Sequence, residues 1–142
     1  MSVFVDQERC IACHACEVAC KRLHGGKSNV SLQIVDGKAA LPLLCRQCEK
    51  PACVAACYAG ALVKESDAVA FHAEKCTGCD LCLLACPFGV IWSEKLAYKC
   101  DLCSGEPVCV ATCPTGALAE DYQAVTQVIR SRAARAFRRG FR

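Results

Sequence analysis

Sixteen cysteines in a chain of 142 residues are the feature that most constrains what this sequence can fold into. They stand in four groups of four, which begin at Cys10, Cys45, Cys76 and Cys100. The third group has the spacing C-x2-C-x2-C-x3-C followed by Pro87, and the first group has the same cysteine spacing without the proline. The second and fourth groups lengthen one gap, to four and five residues. The chain is therefore an internal repeat of a unit that brings four thiols close together.

The spacing of the third group is typical of the cysteines that hold a [4Fe–4S] cluster in bacterial ferredoxins. Disulfides and zinc sites also use many cysteines, but both are less consistent with the sequence. A disulfide scaffold needs export, and the first ten residues contain Asp6 and Glu8 instead of the apolar run of a signal peptide. Zinc ribbons use separate C-x2-C pairs, not three cysteines at this spacing with a fourth close behind. We therefore predict four [4Fe–4S] clusters, with all sixteen cysteines as iron ligands.

The composition indicates that such clusters must supply much of the interior. Hydrophobic residues make up 54% of the chain, but 16 of them are cysteine and 22 are alanine. A short chain with so few large apolar side chains is poorly placed to build a conventional core. We expect the metal-free chain not to fold.

Local patterns predict short elements between the cysteines. A glycine and then an apolar pair follow three of the four groups, as in Gly60-Ala61-Leu62, which favours a turn followed by a short strand. Asp36-Gly37 predicts a hairpin turn between strands over Ser31–Val35 and Lys38–Leu44. Short helical turns are expected between the third and fourth cysteine of each group. Residues Ala119–Arg142 contain no cysteine or proline and read as one helix.

The charge is unevenly distributed. The formal net charge is +3, and six arginines lie in the last 13 residues, so that without them residues 1–129 carry −3. Each oxidised cluster with its four thiolates adds roughly −2. An acidic body with a basic tail does not favour nucleic acid as a partner.

No apolar run approaches the roughly 20 residues of a membrane span, and we expect a cytoplasmic protein with no transmembrane segment.

The complete motifs resemble those of a known family. The run from Cys10 to Lys21 with His24, the run from Cys45 to Cys57, and Lys99-Cys100-Asp101-Leu102-Cys103 continuing to Pro114 are similar to the motifs of four-cluster polyferredoxin subunits. Such subunits serve tungsten- and molybdenum-pterin oxidoreductases, formate-linked hydrogenases and carbon monoxide dehydrogenase systems. The resemblance covers about residues 1–120, with Ala12 where the family often has glycine and Tyr58 where it often has proline.

The resemblance implies that motif one pairs with motif four and motif two with motif three. It also implies which cysteines share a cluster, and we name these sets A to D. They are set A (Cys10, Cys13, Cys16, Cys113), set B (Cys20, Cys100, Cys103, Cys109), set C (Cys45, Cys48, Cys53, Cys86) and set D (Cys57, Cys76, Cys79, Cys82). No [3Fe–4S] site is expected, because every ligand is present. The implied fold class is α+β, with tandem bacterial-ferredoxin-like modules of short hairpins and helical turns over residues 1–120.

The implied function is electron transfer without catalytic residues in this chain. We expect the clusters to connect a catalytic subunit with a redox partner. A tungsten- or molybdenum-pterin aldehyde oxidoreductase is the first candidate, because its small polyferredoxin subunit is similarly short. Formate dehydrogenase, formate–hydrogenase and carbon monoxide dehydrogenase complexes are alternatives, and a flavin subunit is a further candidate partner. A freestanding diffusible polyferredoxin and a cluster-sensing or maturation protein are the remaining hypotheses.

The basic segment over residues 121–142 is predicted to be a docking or self-assembly helix. An arginine-rich helix complements an acidic cluster-bearing body by charge, which suits head-to-tail association of copies into a filament or attachment to a protein partner. A solvated helix and a helix bound to an anionic membrane or nucleic acid are the alternatives.

Overall fold

The structure is a computed structural model and describes residues 2–140. Within that range helices and short strands alternate along the chain, in agreement with the predicted α+β class. The strands are β1 (Phe4–Val5), β2 (Val30–Val35), β3 (Ala39–Leu44), β4 (Leu62–Lys64), β5 (Val69–Phe71), β6 (Ile91–Ser93), β7 (Ala97–Lys99) and β8 (Leu118–Ala119). The α-helices are α1 (Ala15–Leu23), α2 (Ala52–Ala56), α3 (Leu81–Ala85), α4 (Val108–Thr112) and α5 (Tyr122–Gly140).

The strands form four antiparallel pairs: β2 with β3, β4 with β5, β6 with β7, and β1 with β8. The hairpin predicted at Asp36-Gly37 is confirmed, and its register pairs Val35 with Ala39. Asp36 and Gly37 both have left-handed backbone, with φ of +50° and +65°. Two such residues give a turn whose twist matches that of the flanking strands.

The turn predicted after three of the cysteine groups is also confirmed. Gly60, Gly89 and Gly116 have φ between +60° and +65°. Each donates its backbone N–H to the carbonyl of the fourth cysteine of its group, at 3.2–3.3 Å. The apolar pair that follows leads into β4, β6 and β8 respectively. The repeated sequence phrase therefore has one local conformation at three places.

A helix spans the segment between the third and fourth cysteine of each group, as predicted. Helix α1 packs against α4, and α2 packs against α3. The first motif therefore neighbours the fourth, and the second neighbours the third. Apolar side chains of the strands and of the residues that precede them fill the core, and the largest fully buried ones include Val3, Leu44 and Val90. No helix within residues 2–140 has the length and apolarity that a bilayer crossing needs.

The C-terminal helix begins three residues later than predicted. Ala119 belongs to β8 and pairs with Phe4, because the backbone groups of this segment bond to β1 instead of continuing into a helix. Asp121 then accepts the N–H of Gln123 at 2.7 Å, which is the type of contact that starts a helix. The sequence analysis also missed β1. The last two residues of the predicted helix, 141 and 142, lie outside the described residues.

Candidate iron–sulfur sites

Set A surrounds a small cavity between the first and last cysteine motifs. Cys10, Cys13, Cys16 and Cys113 all line it, and its remaining lining includes Leu32, Pro42 and Leu118. Two left-handed residues, Ala12 (φ +56°) and His14 (φ +58°), bend the loop around the cavity before α1 begins. Ala12 thus occupies a conformation that favours glycine, which stands at this place in many members of the family it resembles.

Set D surrounds a similar cavity at the other pair of motifs. Its four members, Cys57, Cys76, Cys79 and Cys82, line this cavity together with Leu62, Phe71 and Ala97 among others. Gly78 and Asp80 are left-handed, with φ of +70° and +59°, and they occupy the same places in this loop as Ala12 and His14 in the first. The two loops therefore wrap their cavities in the same way.

Set B is the most deeply buried of the four sets. Cys20, Cys100 and Cys109 are buried, and Cys103 is half-buried. Burial, and after it the neighbouring Cys100, Cys103 and Cys20, raise the pKa of Cys109 to about 12. Cys20, Cys100 and Cys109 also lie together in one buried cluster. The backbone N–H of Asn29 also donates to the sulfur of Cys20 at 3.2 Å.

Set C shows the same kind of proximity for three of its members. Burial is the main cause of the raised pKa of Cys53, and Cys45 and Cys86 also raise it. Cys48 is half-buried and follows Cys45 by three residues, so its place in the set rests on the sequence. Gln47, in the loop between them, is left-handed with φ +48°.

The burial of the thiols has a chemical consequence. Burial raises the pKa of Cys16 to about 11 and that of Cys100 to about 12, so these thiols are neutral near pH 7 unless a metal displaces the proton. Iron binds the thiolate, and binding therefore releases protons. A buried group of neutral thiols is therefore suited to bind a metal, which takes the place of the protons.

Backbone amides act in the opposite direction at two cysteines. Burial is the largest influence on Cys57 and raises its pKa, but backbone N–H groups from Ala59 to Leu62 together outweigh it and lower the pKa. Cys113 has a lowered pKa for the same reason, with the N–H groups of Thr115, Ala117 and Leu118 and the Thr115 hydroxyl. N–H groups directed at sulfur stabilise thiolate and cluster sulfur alike. The thiol donor sets and these amides fit an iron–sulfur cluster.

The sequence did not predict one contact between a cysteine and another side chain, that of His24. Its Nε2 lies 3.7 Å from the sulfur of Cys103 and 3.6 Å from a carboxylate oxygen of Asp101. The signal available in the sequence was its position in the first motif of the family.

Comparison with known proteins identifies the family. A family model described as "4Fe-4S dicluster domain" matches residues 37–123, and one described as "4Fe-4S binding domain" matches residues 1–22. The first model covers more than half of the chain.

Three relatives are similar to this chain over part of its length. They are a putative oxidoreductase UacF of Escherichia coli (42% identical over 103 residues, 64% of this chain), an iron-sulfur protein of Rhodospirillum rubrum (36% over 103 residues, 63%) and formate hydrogenlyase subunit 2 of Escherichia coli (39% over 93 residues, 63%). The matched regions make up 16%, 54% and 46% of these relatives, so the chain spans about half of their length or less. On the match to residues 37–123, the chain belongs to the 4Fe-4S dicluster domain family of iron–sulfur proteins.

Proposed function

We propose that the chain is an electron-transfer subunit that relays electrons through four [4Fe–4S] clusters, held by sets A to D. Each cluster, when bound, supplies one-electron redox chemistry. The chain supplies the thiolate ligands, the amides directed at sulfur and the apolar walls. The observation that best supports this function is the order in which the four sets adjoin.

Helices join the sets in pairs. Cys16 of set A and Cys20 of set B lie four residues apart on α1, and Cys109 in α4 and Cys113 directly after it repeat this spacing. Four residues advance about 6 Å along a helix. Sets C and D are joined in the same way by α2, which carries Cys53. Each helical connection therefore places the ligands of two clusters about one turn apart.

Cys45 of set C and Cys100 of set B connect the two pairs of sets. Both side chains belong to one buried cluster. This proximity supports the order A, B, C, D for the four sets. Cys13 of set A and Cys79 of set D are exposed, whereas Cys45 and Cys100 are buried. Accessible ends and a shielded middle are what a wire between two partners requires.

The partner we propose is a tungsten- or molybdenum-pterin catalytic subunit, with an aldehyde oxidoreductase as the first candidate and a flavin subunit as the candidate second terminus. The relative named formate hydrogenlyase subunit 2 favours a formate-linked complex as the second candidate. In either case the chemistry on the substrate takes place in the partner, and this chain is not catalytic.

The test is anaerobic purification of the untagged native protein, with mass spectrometry and metal analysis of what elutes with it. We expect about 16 iron atoms per chain and a large subunit containing tungsten or molybdenum. Dye reduction driven by an aldehyde or by formate then separates the two candidates. A chain that elutes as a monomer with about 16 iron atoms would contradict the subunit role and favour a diffusible polyferredoxin.

We also propose that α5 is a docking or self-assembly helix. Arg132 is engaged within the chain, with its guanidinium 2.8 Å from Asp6 and 2.9 Å from Glu8. Four further arginines of the helix are exposed and remain to bind an acidic partner or another copy: Arg130, Arg135, Arg138 and Arg139. Deletion of residues 121–142 should reduce particle size in light scattering or release the partner; unchanged assembly would refute this role.

A further inference from the structure

Lys99, the last residue of β7, is buried, with 5% of its surface exposed. Burying an ammonium group is costly unless opposite charge or hydrogen bonds compensate it. Asp6 is the other buried charged residue within residues 2–140, and it pairs with Arg132. The ion pairs of that same part of the chain do not include Lys99. The positive charge of Lys99 must therefore be compensated by groups other than the carboxylates of these ion pairs.

The ammonium is held in place beside set B. It donates to the carbonyl oxygen of Cys100 at 2.7 Å. The side-chain amide of Gln47, which is also buried, donates to the same oxygen at 2.9 Å, and its own oxygen accepts the N–H of Val69 at 2.9 Å. Lys99 and Gln47 thus converge on one carbonyl, and this network keeps the positive charge at a defined position.

The network that holds this charge also includes the loop of set C. Gln47, which shares the carbonyl oxygen of Cys100 with Lys99, lies between Cys45 and Cys48 of set C. Lys99 therefore lies at the junction of the loops that carry the two central sets.

We propose that Lys99 is the shared counter-charge of the clusters of sets B and C and raises the reduction potentials of both. The proposal rests on the four-cluster function above. Reduction adds one electron to a cluster, and a fixed positive charge nearby favours that more negative form. Sets A and D lie beyond the junction, and their potentials depend less on this residue.

The experiment compares reduction potentials in the complete, cluster-loaded chain. Lys99→Met removes the charge and keeps the length of the side chain, and Lys99→Arg keeps the charge. Lys38→Met makes the same chemical change at an exposed lysine of the β2–β3 turn and serves as the control. Each protein is titrated anaerobically with dithionite and mediators, and electron paramagnetic resonance resolves the clusters.

In Lys99→Met, we expect two of the four clusters to show at least a tenfold lower ratio of reduced to oxidised form at a fixed potential, which corresponds to about 59 mV for one electron. The other two clusters, and all four in Lys38→Met and Lys99→Arg, should change by less than about threefold. Unchanged potentials in Lys99→Met, an equal shift of all four, or the same shift in Lys99→Arg would overturn the proposal.

Loss of iron is also decisive. If Lys99→Met does not retain its clusters, Lys99→Gln is titrated in its place. Iron lost from both neutral variants and retained in Lys99→Arg supports the role of the charge, whereas iron lost from all three assigns Lys99 to packing and overturns the proposal. The iron content of the unaltered protein tests the four-cluster function by itself. A failure of that function can therefore be distinguished from a failure of the Lys99 proposal.

Discussion

Gly78, between Cys76 and Cys79 of set D, offers a sharp test of how backbone geometry supports a cluster loop. Its φ is +70°, and a Cβ added there would lie 2.5 Å from the carbonyl oxygen of Lys95. Gly60 provides a matched control. It has a similar φ of +65°, and an added Cβ would meet nothing within 4 Å. Alanine at the two positions therefore shares the same backbone strain and differs in the clash.

The expected losses of stability follow from the backbone strain and from the clash. An alanine in the left-handed region costs about 1–2 kcal/mol, which applies at both positions. Forcing an extra methyl group against fixed neighbours costs about 1–3 kcal/mol more. That second cost applies only at Gly78, because the contact is with backbone that cannot rotate away. We expect Gly60→Ala to lower the free energy of unfolding by about 1–2 kcal/mol and Gly78→Ala by about 2–5 kcal/mol.

The assay combines urea unfolding, followed anaerobically by the visible absorbance of the clusters, with iron analysis of the purified proteins. The loop of Gly78 must move away from Lys95, and this displaces Cys76 and Cys79. Gly78→Ala should therefore retain about 12 iron atoms per chain, and Gly60→Ala about 16. Equal midpoints and equal iron content in the two variants would refute the role of the close approach.

Three further predictions concern other parts of the molecule. Cys113→Ala removes a ligand of set A and should lower the iron content by about one to four atoms per chain; unchanged iron would contradict that assignment. Arg132→Ala leaves the buried Asp6 without its partner, so α5 should be cleaved faster in limited proteolysis than in the control Arg130→Ala, and equal cleavage would contradict the anchoring role. Ala12→Gly relieves left-handed backbone strain of about 1 kcal/mol at this position. The variant should therefore lose its clusters more slowly in urea, and faster loss would show that the strain is not the controlling factor.

The local structure was largely predictable because cysteine spacing and turn residues act over short distances. The Asp36-Gly37 hairpin and the glycine turns after the fourth cysteines need only local backbone preferences. The pairing of β1 with β8 was not predictable, since the two strands have two residues each and show no periodicity. The late start of α5 has the same origin, because Ala119 pairs with Phe4, at the far end of the chain.

The sequence proposes the ligands of the candidate site and says little about their surroundings. Cysteine spacing selects the thiols, but the amides that bond Cys57 and Cys113 are backbone groups with no sequence signature. Lys99 is a further example. Lysine is almost always exposed, and only the folded chain buries this one, with its ammonium 2.7 Å from the carbonyl oxygen of Cys100.

The position of α5 connects the proposed wire with the proposed docking helix. The helix packs on β1, where the rings of Tyr122 and Phe4 lie 5.3 Å apart. The same segment reaches set A, since the N–H of Asp6 donates to the carbonyl of Ala117, four residues after Cys113, at 2.7 Å. A partner held by the exposed arginines of α5 would therefore sit at the set A end of the chain of clusters. The exposed Cys79 is a proposed ligand of set D, at the opposite end, so the two exchange sites need not compete for one surface. A subunit that must accept electrons from one protein and pass them to another requires that separation.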